Sequence, residues 1–395
     1  MPTAVIVDAV RTAGGKRNGN LSGWHPADLA GEVLKQLVER NQLDPELVDD
    51  VIMGCVMQVG NQGLNIGRNA VLAAGFPETV PATSVDRQCG SSQQAAHFGA
   101  QGVMAGAYDI VIAAGVEVMT TTPMGASITP GSMPFGPRVM ARYRDPGLVP
   151  QGISAEMIAE KWGLTREDLD AFGAESQRRA EQATAEGRFD NEIVGVTHKR
   201  LDKETGNIVE SSDLVTRDEG IRPGTTVETL AKLKPAFKPD GIVTAGNSSQ
   251  ITDGASAMLI MSEEKAKELG LTPRARFHAF SVVGVDPVTM LTGPIPATTK
   301  VLAKAGMTMD DIDLFEVNEA FASVVLAWEK EHQADMSKVN VNGGAIALGH
   351  PLGCSGAKLM ATLVNELERT GGRWGLQTMC EGGGLANGTI IERLG

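Results

Sequence analysis

Two stretches of this chain, residues 1–120 and 251–395, alternate short apolar runs with amphipathic helical faces, and the residues between them do not. In the first stretch Ala4–Val7, Val51–Val56 and Ile110–Ala114 read as strands. Leu29, Ala30, Val33, Leu34, Leu37 and Val38 form one helical face, and Gln93–Met104 reads as a second helix. In the last stretch Arg276–Val285 and Asp311–Val317 read as strands, and Thr298–Ala305 and Phe321–Glu331 as helices. Leu376–Cys380 and Thr389–Arg393 are apolar runs flanking a glycine turn. Strands that alternate with helices predict an α/β sheet covered by helices, and the unbroken apolar run at Ile110–Ala114 predicts a strand buried on both faces. DDVIMGCV (49–56) and DDIDLFEV (310–317) both set acids ahead of an apolar run, and each half carries a segment with Gly and Cys leading into a helix. The expectation is a duplicated α/β core, 1–120 and 251–395, with residues 121–250 inserted between the halves.

The inserted region reads differently. Residues 119–150 are rich in Thr, Pro, Gly and Met without a period, as functional or interaction loops are. Thr165 and Asp168 have capping-box spacing before a helix, and a polar, charged stretch continues to about Lys238. With 42% hydrophobic but only 4% aromatic residues, the core must be built from Ala, Val, Leu, Ile and Met. A net charge of −13 disfavours nucleic acid and anionic membrane as partners, while leaving room for a small polyanion at a local basic patch. The four cysteines, Cys55, Cys89, Cys354 and Cys380, have neither CxxC spacing nor a nearby zinc pattern, so no metal is expected. There is no apolar run of membrane-spanning length, and the N-terminus passes directly into a β-type run. A soluble protein of a reducing compartment, the cytoplasm, is expected.

Three segments carry chemistry. Val339–Gly356, VNVNGGAIALGHPLGCSG, sets five glycines around His350 between Asn340 and Gly356. Glycine permits positive φ and close backbone approach at a cost in folding entropy. A plain strand, turn and helix start is the simpler reading, with Pro351 suited to the first turn of that helix. Cys89, in SVDRQCGSS, follows a β-type run and precedes a helix, whose N-terminus is expected to lower its thiol pKa. The alternative is a buried structural cysteine. Cys380 opens into Gly382, Gly383 and Gly384, whose N–H groups can form an oxyanion hole, unless the segment is only a hairpin turn. Asn318, at a strand-to-helix junction, is either an N-cap or a polar group for a water or substrate oxygen. Cys with His is the usual activated-nucleophile pair, and a second Cys suits proton transfer.

Along its whole length the chain resembles the thiolases, coenzyme A-dependent acyl-transferring enzymes. The resemblance rests on CGS at Cys89, NEAFA at Asn318–Ala322, NGGAIALGHPLGCSG at Asn342–Gly356 and the C-x-G-x-G pattern at Cys380–Gly384. GRFDNEIV (187–194) and TAGNSSQITDGASA (244–257) add to it. Within the family it is most similar to actinobacterial steroid-type thiolases. The resemblance implies the thiolase fold, a five-layer αβαβα core with an inserted loop domain that binds CoA. It implies acylation of Cys89, with His350 as its base and Cys380 as the second acid/base. Asn318 would hold a water that forms one oxyanion hole with His350, and the N–H groups of Cys89 and Gly382 would form the other. Arg222 would lie near the nucleotide phosphates, with Ser249, Ala245, Leu233, Phe237, Met290, Ala320 and Phe321 along the pantetheine and acyl path. Lys232, Lys234 and Lys238 form a stretch without an acid that suits a polyanion or merely a solvated face. No permanently bound cofactor is implied; CoA and acyl-CoA are substrates, and the subunits form homodimers or homotetramers, the latter through residues 119–150. The chain departs from well-studied biosynthetic members at Pro150–Gln151, where they carry His-Met, and at Asp86, where many carry Asn. A non-catalytic acyl-CoA carrier on the same fold is the alternative, but such proteins usually lack the Cys or His retained here.

Overall fold

The computed structural model describes residues 2–395. The first stretch supplies β1 (Ala4–Arg11), β2 (Gly15–Lys16), α1 (Pro26–Arg40), β3 (Asp50–Gly54), α2 (Ile66–Ala73), β4 (Ala82–Val85), α3 (Ser91–Met104) and β5 (Ile110–Val118). The middle supplies α4 (Pro137–Arg142), α5 (Gln151–Lys161), α6 (Arg166–Ala185), the hairpin β6 (Val196–Leu201) and β7 (Ile208–Val215), and α7 (Val227–Leu230); β8 (Thr252–Ser262), just beyond it, returns to the sheet of the first stretch. The last part supplies α8 (Glu263–Glu268), β9 (Ala275–Gly284), α9 (Pro294–Ala305), β10 (Leu314–Val317), α10 (Ala322–His332), α11 (Ala345–Leu348), α12 (Ser355–Thr370), β11 (Trp374–Glu381) and β12 (Leu385–Arg393).

The strands run β10-β11-β12-β9-β1-β8-β5-β3-β4. Within that order one pattern occurs twice. β3-β5-β8-β1 and β10-β11-β12-β9 each contain one parallel pair followed by two antiparallel pairs. The two patterns meet where β1 pairs with β9 over Val5↔Arg276 and Ile6↔Ala275. The acid-led segments that suggested a duplication form β3 and β10, which hold equivalent places. The partner of β3 on its outer side, β4, has its counterpart in a single parallel bridge between Phe315 and Val339.

Side-chain alternation along the strands builds the layers. Val5, Val7, Val51, Met53, Ile110 and Ile112 pack outward against α1 and α2. Their neighbours Ala4, Ile6, Ile52, Val111 and Ala113 pack inward against α3 and α12. On the far side Phe315, Val317, Leu376 and Ile390 meet α9 and α10. α3 and α12 therefore occupy the middle of five layers, helices, sheet, helices, sheet, helices, and touch each other and strands of both halves. Their close approach needs Gly356: a Cβ there would fall 2.2 Å from the Gln93 nitrogen. The expected capping box is present, with Thr165 and Asp168 satisfying each other's backbone N–H at the start of α6. Residues 119–150 are irregular apart from the short α4.

Candidate active site

Cys89 and His350, from opposite halves of the chain, line one cavity of about 490 Å³. Cys89 precedes Gly90, the N-cap of α3, and is 4% exposed. The residue before it, Gln88, is held at φ +49°, in the left-handed region that a non-glycine side chain adopts only when its surroundings impose it. Asp86 supplies that constraint, its Oδ1 accepting from the Gln88 N–H at 2.7 Å. Asp86 thus sets the turn that aims the sulfur, which accounts for an acid three positions before the cysteine.

His350 sits at the end of the glycine-rich stretch. Gly349, at φ +80°, presses on β8 so closely that a Cβ would lie 2.3 Å from Thr252 Oγ1. The same Oγ1 accepts from the His350 N–H at 3.0 Å and fixes the backbone. Ser355 fixes the ring. Its hydroxyl donates to the Pro351 carbonyl at 2.8 Å, so the 2.5 Å contact with His350 Nδ1 must have the ring N–H as donor. Nε2 therefore carries the lone pair, and the Asn318 Nδ2 group lies 3.4 Å from it. Burial, aided by the Lys358 ammonium, pushes the His350 pKa down to about 3, so the ring is a neutral base. Pro351 is extended and precedes a 3-10 turn, Leu352–Cys354, that leads into α12; it is not in the first turn of the helix as expected.

The Cys89 thiol departs from expectation in the opposite direction. Burial and the nearby Glu381 carboxyl push its pKa up to about 12, against hydrogen bonds from the Gly382 N–H, its own N–H and the Gln151 side chain. The α3 N-terminus does not offset the loss of water around a wholly buried sulfur. At rest the pair is neutral thiol and neutral imidazole. Cys380 is fully buried in an apolar cluster with Met290 and Phe321. Burial, Cys89 and Glu381 raise its pKa well above the ordinary thiol value. Asn318 does not cap α10; Phe321 holds that position.

Of the other expected residues, Phe237, Ala245, Ser249, Ala320 and Phe321 line the cavity. The Phe237 and Phe321 rings meet edge to face at 5.8 Å. Leu233 lines neither cavity; it is exposed and packs over Gly246, where a Cβ would meet its Cδ1 at 2.8 Å. Met290 is buried behind the cavity wall. Arg222 lines a second cavity of about 330 Å³ that shares Ala245, Ser249, Gln250 and Ile251 with the first. Lys16 and Arg17 line it too; no sequence signal marked them, because β2 and the 222 loop meet only in the fold. Lys232, Lys234 and Lys238 line neither cavity. Gln151, the first residue of α5, was noted only as a departure, yet it lines the cavity beside Cys89. The arrangement is a mostly apolar channel with a thiol and a base at its inner end and three cations at its mouth. It suits a long ligand with a carbonyl at one end and phosphates at the other. All four cysteines are free, and among the described residues no His, Cys, Asp and Glu cluster could hold a metal.

Family models for the thiolase N-terminal and C-terminal domains match residues 4–264 and 271–393. The chain is 51% identical to the steroid 3-ketoacyl-CoA thiolase FadA6 of Mycobacterium tuberculosis, over 100% of this chain and 95% of that protein. It is 48% identical to a 3-ketoacyl-CoA thiolase of Psychrobacter cryohalolentis, over 99% of this chain and 98% of that one. The crystal structure of an acetyl-CoA acetyltransferase from Bacillus anthracis superposes with a TM-score of 0.88 at 41% identity, covering 100% of this chain and 99% of that one. With a buried Cys and His converging on one channel, and both domain models together spanning nearly all of the sequence, the chain belongs to the thiolase family.

Proposed function

We propose that this acyl-CoA thiolase works by a ping-pong mechanism in which Cys89 carries the acyl group. The reading is supported above all by a thiol and an imidazole whose Nε2 carries the lone pair, lining one channel with a cationic mouth. In the thiolytic direction His350 Nε2 takes the Cys89 proton as sulfur attacks the 3-keto carbonyl. The carbonyl oxygen, gaining charge, is met by one of two donor sets. The N–H groups of Cys89 and Gly382 form one, and His350 with a water held by Asn318 forms the other. The C2–C3 bond then breaks, and Cys380 protonates the departing acetyl-CoA carbon. The thiol of CoA, giving its proton to the Cys380 thiolate, next attacks acyl-Cys89; Cys89 leaves, recovers its proton from His350, and a shortened acyl-CoA is released. The same groups run in reverse for condensation of acetyl-CoA.

The CoA arm follows Phe237, Ala245, Ser249, Ala320 and Phe321, and its phosphates meet Arg222, Lys16 and Arg17. Residues 121–250 act as the CoA-binding loop domain; the expected second half, 251–395, is shortened at its start, because β8 (Thr252–Ser262) pairs with β1 and β5 and completes the first core half. The relatives' names support 3-ketoacyl-CoA as the substrate class, with a bulky acyl group accepted. Gln151 and Pro150 at the cavity wall then shape the acyl end. Apolar side chains exposed over residues 119–150, among them Met124, Ile128, Met133 and Phe135, support assembly into a homodimer or homotetramer. The free cysteines support a cytoplasmic location.

Cys89→Ser tests the nucleophile. Thiolysis across a panel from acetoacetyl-CoA to steroid side-chain thioesters is expected to fall by orders of magnitude while CoA still binds. Near-full turnover by the serine variant would overturn the assignment.

A further inference from the structure

Asn318 also lines a small cavity of about 10 Å³ that neither Cys89 nor His350 reaches. Glu316, Asn318, Ser355, Lys358 and Thr362 are the polar side chains among those that line it, and the Thr362 hydroxyl is spent on Glu192 Oε1 at 2.9 Å. Two buried oxygens there lack a hydrogen-bond partner, Glu316 Oε2 and Asn318 Oδ1. Their placement follows from the strand. Phe315 and Val317 of β10 face the outer helices, so Glu316 and Asn318, two residues apart, face α12 together. Lys358 of α12 is buried and donates to the Leu348 and Gly349 carbonyls at 2.5 and 3.1 Å, which leaves its third N–H. The space is about that of a single water, and a buried water needs two to four polar partners.

An unpaired Asn318 Oδ1 is a problem for the reaction as well as for stability. The amide must present Nδ2 to His350 Nε2, and a flipped amide would set an oxygen against a lone pair. The donor set near His350 would then be lost. Something must therefore donate to Oδ1. Ser355 cannot, since its one hydroxyl proton goes to Pro351. Glu316 is wholly buried among Glu319, Glu192 and Glu366, and burial followed by these like charges pushes its pKa well above the carboxylate range, so it carries a proton. We propose that this cavity holds one ordered water, bound by Glu316 and Lys358 and donating to Asn318 Oδ1, and that Glu316 is thereby a positioning residue for the catalytic amide. The water is distinct from any that Asn318 holds toward the substrate, because neither Cys89 nor His350 lines this cavity. The proposal rests on the thiolase mechanism above for its kinetic consequence, though not for the water itself.

The test pairs Glu316→Leu with Glu316→Gln. The leucine removes the polar anchor; the glutamine keeps both a donor and an acceptor. Glu316→Leu is expected to lower kcat for 3-ketoacyl-CoA thiolysis roughly tenfold or more with KM little changed. The rate of Cys89 alkylation should hold, because His350 is untouched, and Glu316→Gln should restore most of kcat. Full kcat in the leucine variant would overturn the positioning role, as would equal impairment of both variants. A high-resolution crystal structure of the wild-type protein gives a separate readout that does not depend on turnover. Density for a water between Glu316 and Asn318 is expected, and an empty cavity would sink the proposal even if the protein proved unable to cleave any 3-ketoacyl-CoA in the panel. Should the leucine variant fail to fold, the glutamine variant and the wild-type density still decide.

Discussion

At the scale of single residues, the site is built to keep a thiol and an imidazole neutral until a ligand arrives. Burial holds Cys89 at about 12 and His350 at about 3. The thiolate fraction therefore grows as pH rises toward the higher value, whereas the imidazole stays an available base at every pH above the lower one. Alkylation of Cys89 by iodoacetamide is expected to climb about tenfold per pH unit between pH 6 and 9, with no inflection near the ordinary histidine value of about 6.5. An inflection there would show that His350 titrates and that its burial has been misjudged. His350→Ala should slow the same reaction at neutral pH, since no base then receives the thiol proton; an unchanged rate would mean the ring does not activate Cys89. Cys89, His350 and Cys380 were legible in the sequence because each is a reactive side chain set in glycine. Ser355, Asp86 and Gln151 were not. A serine that chooses a tautomer, or an aspartate that sets a turn, looks like any polar residue until its partner is in place. The thiol's direction of shift was misread for a related reason. A helix start is visible in a sequence, but the depth at which it is buried is not.

Elements were legible where the local signal and the tertiary role agreed. The apolar faces of α1 and α3 and the strands β3, β5, β9 and β10 lie within a few residues of their expected positions. Thr165 and Asp168 announce the start of α6 correctly, and the cap is exposed and remote from the channel. Thr165→Ala should therefore lower stability by about 1 kcal/mol, read as a drop of roughly 1–2 °C in melting temperature, with kcat unchanged. A loss of activity at temperatures where the variant is folded would show that α6 does more than pack. β8 escaped notice. Its sequence, TDGASAMLIMS, begins with small and polar residues that dilute any period, although all of its residues are buried at the middle of the first half-sheet. The β6–β7 hairpin was hidden in a polar stretch because β7 is exposed along nearly its whole length and so has no buried face to impose alternation.

Across the whole molecule, the charge pattern separates bulk from site. The surface is acidic overall, at −13, yet Lys16, Arg17 and Arg222 converge at the channel mouth. Replacing Arg17 and Arg222 together by glutamate is expected to raise KM for CoA about tenfold or more with little change in kcat, and the effect should shrink as salt is added, because the Debye length at physiological ionic strength is about 8 Å. An unaltered KM would place the phosphates elsewhere. The α/β class and the duplication were readable from the two acid-led segments, but the shared strand order, and the reduction of the second half's outer strand to one bridge, belong to long-range pairing that no local window contains. That repeated order has a further consequence. The two central helices start in equivalent places, one after Cys89 and Gly90, the other after Gly353 and Cys354. Only the first of these cysteines faces the channel; the second is sealed in, and its helix start contributes instead Ser355, which orients the imidazole. In the mechanism proposed above, twin scaffolds thus take unlike jobs, one furnishing the attacking atom and the other the proton acceptor. Neither twin is half an enzyme, and reactivity exists only along the seam where they are pressed together.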